Sequence, residues 1–409
     1  MNEVSAPTET QEMQAFRRNL NLRKGDLNTL VAKLKEQSLL KVDLIVPSNN
    51  IRMDEKGRIT IKGRQDDNSE ENHALTGLLD GLNIATKEEL SLIPFDTAHG
   101  QLSERLNIPS GYYNRMRLHL SLLGENINYW MKGKDTNYFL RIFENPSTST
   151  GYLRTILSDK FFALDNWDVL IATLDAVKRS GAELEIDECD ISEEKMYIKF
   201  IAPNIEVDAP ELLKNYKLPD GTIPNNPRVC AGFVVSNSEI GCGKFYVAPR
   251  MMVLACRNGM IRKDEGFGKV HLGARLEENQ VIKFSKETKN KAIELVISQI
   301  TDAVQIFCSK DYLNKVVAEY EEKGKQPLAH PTVAIANMTK HYGLTDDKTQ
   351  SILDYFIKSS DTSRFGAVQA LTFFAHKDAD ADGQYELECA SVDALDKMPI
   401  FDRLPKENN

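Results

Sequence analysis

The chain has 409 residues, a net charge of −9, 41% hydrophobic and 27% charged residues. This composition is ordinary for a globular protein, and the length predicts two or three structural units. It excludes a wholly basic nucleic-acid-coating protein, and no apolar run reaches the ~18 residues of a membrane-spanning helix.

The first residues, MNEVSAPTETQEMQ, are polar and acidic and do not read as a signal peptide. Leu27, Leu30, Val31 and Leu34 recur at helical spacing within Leu22–Gln37. Asp43–Lys62 is β-like, and RQDDNSEENH (Arg64–His73) reads as a polar loop. Leu75–Met131 is expected to be mostly helical, with an amphipathic helix over Phe95–Leu106 and Ser110 capping the next one. There Tyr112, Tyr113, Arg115 and Arg117 put two aromatics near two cations, a pairing that suits single strands of nucleic acid.

NYFLRIFE (Asn137–Glu144) and GYLRTIL (Gly151–Leu157) flank NPSTST and predict a β-hairpin. Alternation puts Arg141 and Arg154 on one face of it. Two like charges side by side are unfavourable unless an anion or an acid lies between them. A helix follows, opened by Asp165 and closed by Gly181, with Trp167, Leu170, Leu174 and Val177 as its buried stripe. Ala182–Cys189 and Lys195–Ala202 read as a strand pair, and the proline-rich Pro203–Pro227 as a long loop.

Arg228–Arg275 carries eight Lys/Arg against three acids, a net +5 over 48 residues in an acidic chain. Two strand-like runs enclose SNSEIGCG, which reads as a turn. The expected use of this island is a groove for a phosphate backbone. Lys244, Arg250, Arg257 and Arg262 join Arg141 and Arg154 as phosphate contacts, with Tyr112, Tyr113 and Phe245 as stacking surfaces. Ser236, Asn237, Glu239, Asn258 and Gly259 are expected to brace the turns, Asn258–Gly259 as a tight turn with positive φ. From Ser285 to Lys323 the chain switches to helix, with apolar residues recurring at three and four positions. Val333–Tyr342, Thr345–Lys358 and Ser363–His376 are shorter helices. KDADADG lacks the ligand pattern of a calcium loop and reads as solvated.

No phosphate loop, dinucleotide fingerprint, nucleophile elbow or zinc-protease motif occurs. Cys230, Cys242, Cys256 and His271 are spaced by 12, 14 and 15 positions, without the close pairs of a structural zinc site. No metal and no cofactor is expected. Six cysteines without a disulfide framework fit a reducing cytoplasm.

The expected fold is α+β: a central antiparallel β-sheet core, flanking helical segments and a long C-terminal helix. Its segments are 1–74 (a helix, a β-like piece and a polar linker), 75–131 (helical), 132–275 (the mixed core), 276–380 (helical) and 381–409 (a polar tail).

Four segments together resemble a known family. They are FDTAHGQLSERLNIPSGYYNRM, GYLRTILSDKFFALDN, VVSNSEIGCGKFYVAPRMMVLACRNGMI and SRFGAVQALTFFAH. The third matches the family pattern at Ser236, Asn237, Ser238, Glu239, Gly241, Pro249, Cys256, Asn258 and Gly259, and Gln369 in the fourth stands where the family has Asn. The resemblance covers about residues 95–380. It is to the phage- and plasmid-like proteins known only as domain of unknown function nine-three-two. It implies a bacterial or phage-infected cytoplasm and leaves the biochemistry open. The order hairpin, helix, strands, long helix is also similar to phage single-strand annealing proteins, which work as rings or filaments.

Three functions follow as expectations. One is a single-stranded DNA-binding accessory of recombination or strand annealing, acting as a homo-oligomer away from membranes. A second is a scaffold or virion-associated protein without a catalytic site. A third is a counter-defence factor or enzyme with its site around Ser236–Glu239.

Overall fold

The computed structural model describes residues 11–62, 89–145, 150–159, 161, 164–212, 214–215, 217, 222–223, 228–269 and 286–404. The fold is mixed α+β, built on two sheets rather than one central sheet. The expected hairpin forms as β6 (Asn137–Asn145) and β7 (Thr150–Ser158), paired antiparallel. It lies at the middle of a six-stranded sheet in the order β2 (Lys41–Pro47), β6, β7, β5 (Glu89–Pro94), β4 (Ile59–Lys62), β3 (Ile51–Met53).

The second sheet has seven strands. Its order is β1 (Leu22–Gly25), β8 (Glu185–Ile191), β9 (Met196–Asp208), β10 (Arg228–Asn237), β11 (Phe245–Val253), β12 (Asn258–Ile261), with β13 (Phe267–Lys269) also on β11. Segment 1–74 therefore does not stand apart: β1 enters the larger sheet, and β2, β3 and β4 enter the smaller one.

Alternation along each strand decides what covers each face. In the six-stranded sheet Leu140, Ile142 and Leu153 point to α3 (Asp96–Arg105), α4 (Ser110–Met116) and α5 (Leu120–Lys132). Phe143 and Tyr152 point the other way, to Met13, Phe16 and Leu20 of α1 (Gln11–Leu20). In the seven-stranded sheet Ile198, Phe200, Phe233 and Val235 pack under α2 (Leu27–Leu40), α6 (Asn166–Ser180) and α7 (Lys286–Phe307).

The same face continues through Val229, Ala231 and Met251. These pack against α8 (Lys310–Gly324), α9 (Pro331–His341), α10 (Asp346–Ser359) and α11 (Arg364–Asp378). The opposite face meets the first half of α12 (Ala381–Phe401), through Tyr385 on Tyr197 and Val234.

Local chemistry accounts for the boundaries, including several that depart from expectation. Glu89–Pro94 is a strand, because Leu90 and Leu92 alternate into the core; residues 75–88 and the Arg64–His73 loop lie outside the described residues. Pro109, not Ser110, precedes the first turn of α4. The expected long C-terminal helix is present as α12, and the helical stretch before it is split into α7 and α8, because the Ser309 side chain accepts from Tyr312 N (3.2 Å) and starts α8 afresh.

The expected polar tail is a buried helix for most of its length. α12 opens at Asp380, whose side chain accepts from Gly383 N at 2.7 Å. Pro203–Asp208 continues β9 instead of opening the loop. At Asn258–Gly259 there is no turn: both lie in β12, and the positive φ falls on Arg257, at 58°.

Candidate functional site

The basic stretch is where the structure departs furthest from the sequence reading. The SNSEIG turn leaves β10 and reaches the smaller sheet, carrying Glu239 to the face shared by Arg141 and Arg154. Glu239 Oε2 accepts from Arg154 Nη1 at 2.9 Å and lies 3.5 Å from Arg141 Nη1. Its Oε1 accepts from the backbone N of Asn166 at 2.7 Å. Arg141 also forks onto Asp43 with two bonds of 2.8 Å and reaches Asp165 at 2.8 Å. The acid demanded by two adjacent arginines is thus supplied from within the chain.

Arg141 is only 1% exposed. Burial opposes its charge, but Asp43, Glu239 and Asp165 more than offset that and hold it firmly cationic. Burial wins at Arg154 and lowers its pKa.

The rest of the motif braces this clamp. Asn237 Nδ2 donates to Leu164 O and Asn166 Oδ1, both at 2.9 Å. Ser238 Oγ donates to Glu194 O (2.8 Å) and accepts from Cys242 N (3.0 Å). Ser236 is buried nearby. Ile240 O accepts from Gln101 Nε2 and Thr155 Oγ1, tying the turn to α3 and β7.

A second ionic cluster lies under α12. Arg250 Nη1 donates to Asp187 (2.7 Å) and its Nε to Glu388 Oε2 (3.3 Å). Lys199 Nζ meets Glu188 at 3.1 Å, Glu388 at 3.5 Å and Asp190 at 3.7 Å. Gln384 donates to Glu388 at 2.8 Å. Burial raises the pKa of Glu188, but Lys199 and Arg250 outweigh it and hold it at about 2. His376, 3.5 Å from Glu188, is pushed down to about 4 by burial.

Gly259 belongs to this cluster: a Cβ there would lie 2.3 Å from Arg250 Nε. Asn258 donates to Gln369 O and Oε1 at 3.3 Å, joining β12 to α11.

The expected phosphate groove is therefore not present on these strands. Arg141, Arg154, Arg250 and Arg262 are buried. Arg262 bonds Glu319 at 2.7 Å and Glu265 at 2.9 Å. Arg257 is exposed but bonds Asp187 at 2.7 Å. Lys244 is exposed, with its ammonium 4.9 Å over the Tyr246 ring.

Of the stacking candidates Phe245 and Tyr113 are buried, Tyr113 against His99 Nδ1 at 3.0 Å. Tyr112 stands at the surface, with Arg115 three residues on. The acids that neutralise the +5 island come from elements far away in sequence, so no local charge count reveals them.

Cys230, Cys242 and Cys256 do not gather, and His271 lies outside the described residues. Among the described residues no group of three His, Cys, Asp or Glu is arranged to hold a metal ion. Burial pushes the Cys230 and Cys242 thiols up to about 12. One pocket, lined by Arg250, Arg262, Phe307 and Tyr312 among others, has space of about 10 Å³, room for about one water. No described helix is long and apolar enough to cross a membrane.

Models of known protein families, curated proteins and solved structures were compared with the chain, and none matches.

Proposed function

We propose that the chain binds single-stranded DNA as an accessory of recombination or strand annealing, and that contact is made at the surface of α4 rather than along the sheet. One observation carries this reading: Tyr112 and Arg115 stand exposed at i and i+3 on one helix face, and no ion pair engages Arg115 among the described residues. An open ring beside an uncommitted guanidinium supplies stacking and phosphate neutralisation together. Binding through a few such contacts is weak per site, so working as a homo-oligomer, with many sites on one strand, suits it. The resemblance to phage- and plasmid-like proteins is in keeping with that role.

Fluorescence anisotropy of labelled oligo(dT) and of a duplex, each across a salt series, tests the proposal. The expected result is a preference for the single strand and a log–log salt slope of about −0.7 per phosphate contact. Failure to bind oligo(dT) at low salt would reject it in favour of the scaffold reading, which the engagement of both Glu239 oxygens and the exposed Leu118 and Leu122 favour over an enzyme.

A further inference from the structure

We infer that α5 supplies the principal base-stacking site on its exposed side, where Trp130 and Lys132 flank Tyr129; this rests on the single-stranded DNA reading and locates its centre.

α5 has two apolar stripes where one suffices to fold it. Leu123, Ile127 and Met131 recur at four-residue spacing and are buried on the six-stranded sheet. Leu122 and Tyr129, seven residues apart, face away from that core, and Trp130, three residues after Ile127, lies at its margin. Tyr129 is 72% exposed and Trp130 48%. Their rings lie 5.2 Å apart at 85°, so the two planes are turned from each other in solvent. Among the described residues the exposed Phe, Tyr and Trp rings are these two and Tyr112 of α4, all on one side of the smaller sheet. Large rings clustered at a surface mark an interaction site.

Charge selects the partner. Residues 110–134 hold four Lys/Arg (Arg115, Arg117, Lys132 and Lys134) and one acid, Glu125, and Asp96 engages Arg117 at 2.7 Å, so the surplus left is about two positive charges in a chain of −9. Arg115 and Lys132 are exposed and engaged in no ion pair among the described residues. On the nearby turn, whose Gly57 faces Leu120 at the start of α5, Lys56 and Arg58 are balanced by Asp54 and Glu55. An anionic polymer carrying flat, unstacked bases satisfies rings and cations at once. A second copy meeting this one through the same side would set Arg115 and Lys132 of each against like charges.

The test uses the full chain and labelled oligo(dT), with wild type, Tyr129→Ala, Trp130→Ala and Lys132→Ala. All three side chains are exposed, so thermal melting is expected to be unchanged and serves as the folding control. Trp130→Ala and Tyr129→Ala should each weaken binding about five- to a hundredfold. Lys132→Ala should reduce the salt slope by about 0.7. Wild-type binding that both ring variants retain at full strength overturns the α5 site while leaving the single-strand reading intact. No binding by wild type removes that reading and the site with it. Self-association lost in Trp130→Ala, with oligo(dT) binding unaffected, would reassign the face to contact between copies and also overturns the proposal.

Discussion

Glu239 is the residue on which both sheets depend. Among the described residues it is the one carboxylate that pairs with both Arg141 and Arg154, and it also holds the first backbone N–H of α6. Replacing it with Gln leaves two buried guanidinium groups short of a counter-charge, and breaking a buried ion pair from one side costs about 3–5 kcal/mol. Glu239→Gln is therefore expected to lower unfolding stability by about that amount in a urea titration; a change below about 1 kcal/mol would show that Asp43 and Asp165 suffice alone. The Arg141→Ala, Arg154→Ala pair belongs to the same test. It should destabilise the fold rather than alter a DNA salt slope. The sequence made half of this visible: Arg141 and Arg154 on one face require an anion. It did not reveal which one, because Glu239 lies 85 residues beyond Arg154 and reaches it only after two sheets have formed.

Elements with one clean period were legible; elements whose buried face is polar were not. The β6–β7 hairpin, α6 and α11 announce themselves by alternation, by the left-handed Gly181 (φ 70°) and by the Ser363 cap. α12 hides because its inward face carries Gln384, Glu388 and Ser391, which read as solvent-facing until Lys199 and Arg250 are seen opposite Glu388. β12 hides for a related reason. Its Gly259 resembles turn punctuation, yet glycine is needed there because the Arg250 side chain occupies the space of a Cβ. Gly259→Ala must push that guanidinium away from Glu388 and Asp187, so a loss of about 1–3 kcal/mol is expected by denaturation, the usual cost of overpacking. Asp380→Ala, which removes only the cap of α12, should cost about 0.5–2 kcal/mol. Equal melting temperatures for wild type and Asp380→Ala would mean that packing alone fixes the start of α12.

At the scale of the whole molecule the two-sheet assembly was illegible, since nothing local assigns β1 to one sheet and β2 to the other. The acidic balance was legible but misleading as to place: its negative groups are not spread uniformly over the outside, and several neutralise the basic strands from within. This has a consequence for acid stability. Burial holds His99 at about 3, with the Arg117 charge adding to the effect, whereas an unfolded histidine titrates near its ordinary 6.5. As pH falls below about 6.5 the unfolded chain takes up a proton there that the native chain refuses, so stability falls with pH. For His99 the loss is about 2 kcal/mol by about pH 5. His376, held at about 4, acts in the same direction. Glu188, held at about 2 against an ordinary 4.5, contributes stability that is present above about pH 4.5 and drains away as pH drops toward its folded value. The three contributions share one sign, and the two histidines make stability decline as pH falls from about 7.5 to about 5. Denaturant unfolding at about pH 7.5, 6 and 5 measures the slope, and His99→Gln should remove its share of the loss between pH 7.5 and 5. If wild type unfolds with the same free energy at both ends of that range, neither histidine is held neutral by its surroundings, and the packing of α3 against α4 around His99 and Tyr113 is looser than a 3.0 Å bond between buried groups requires.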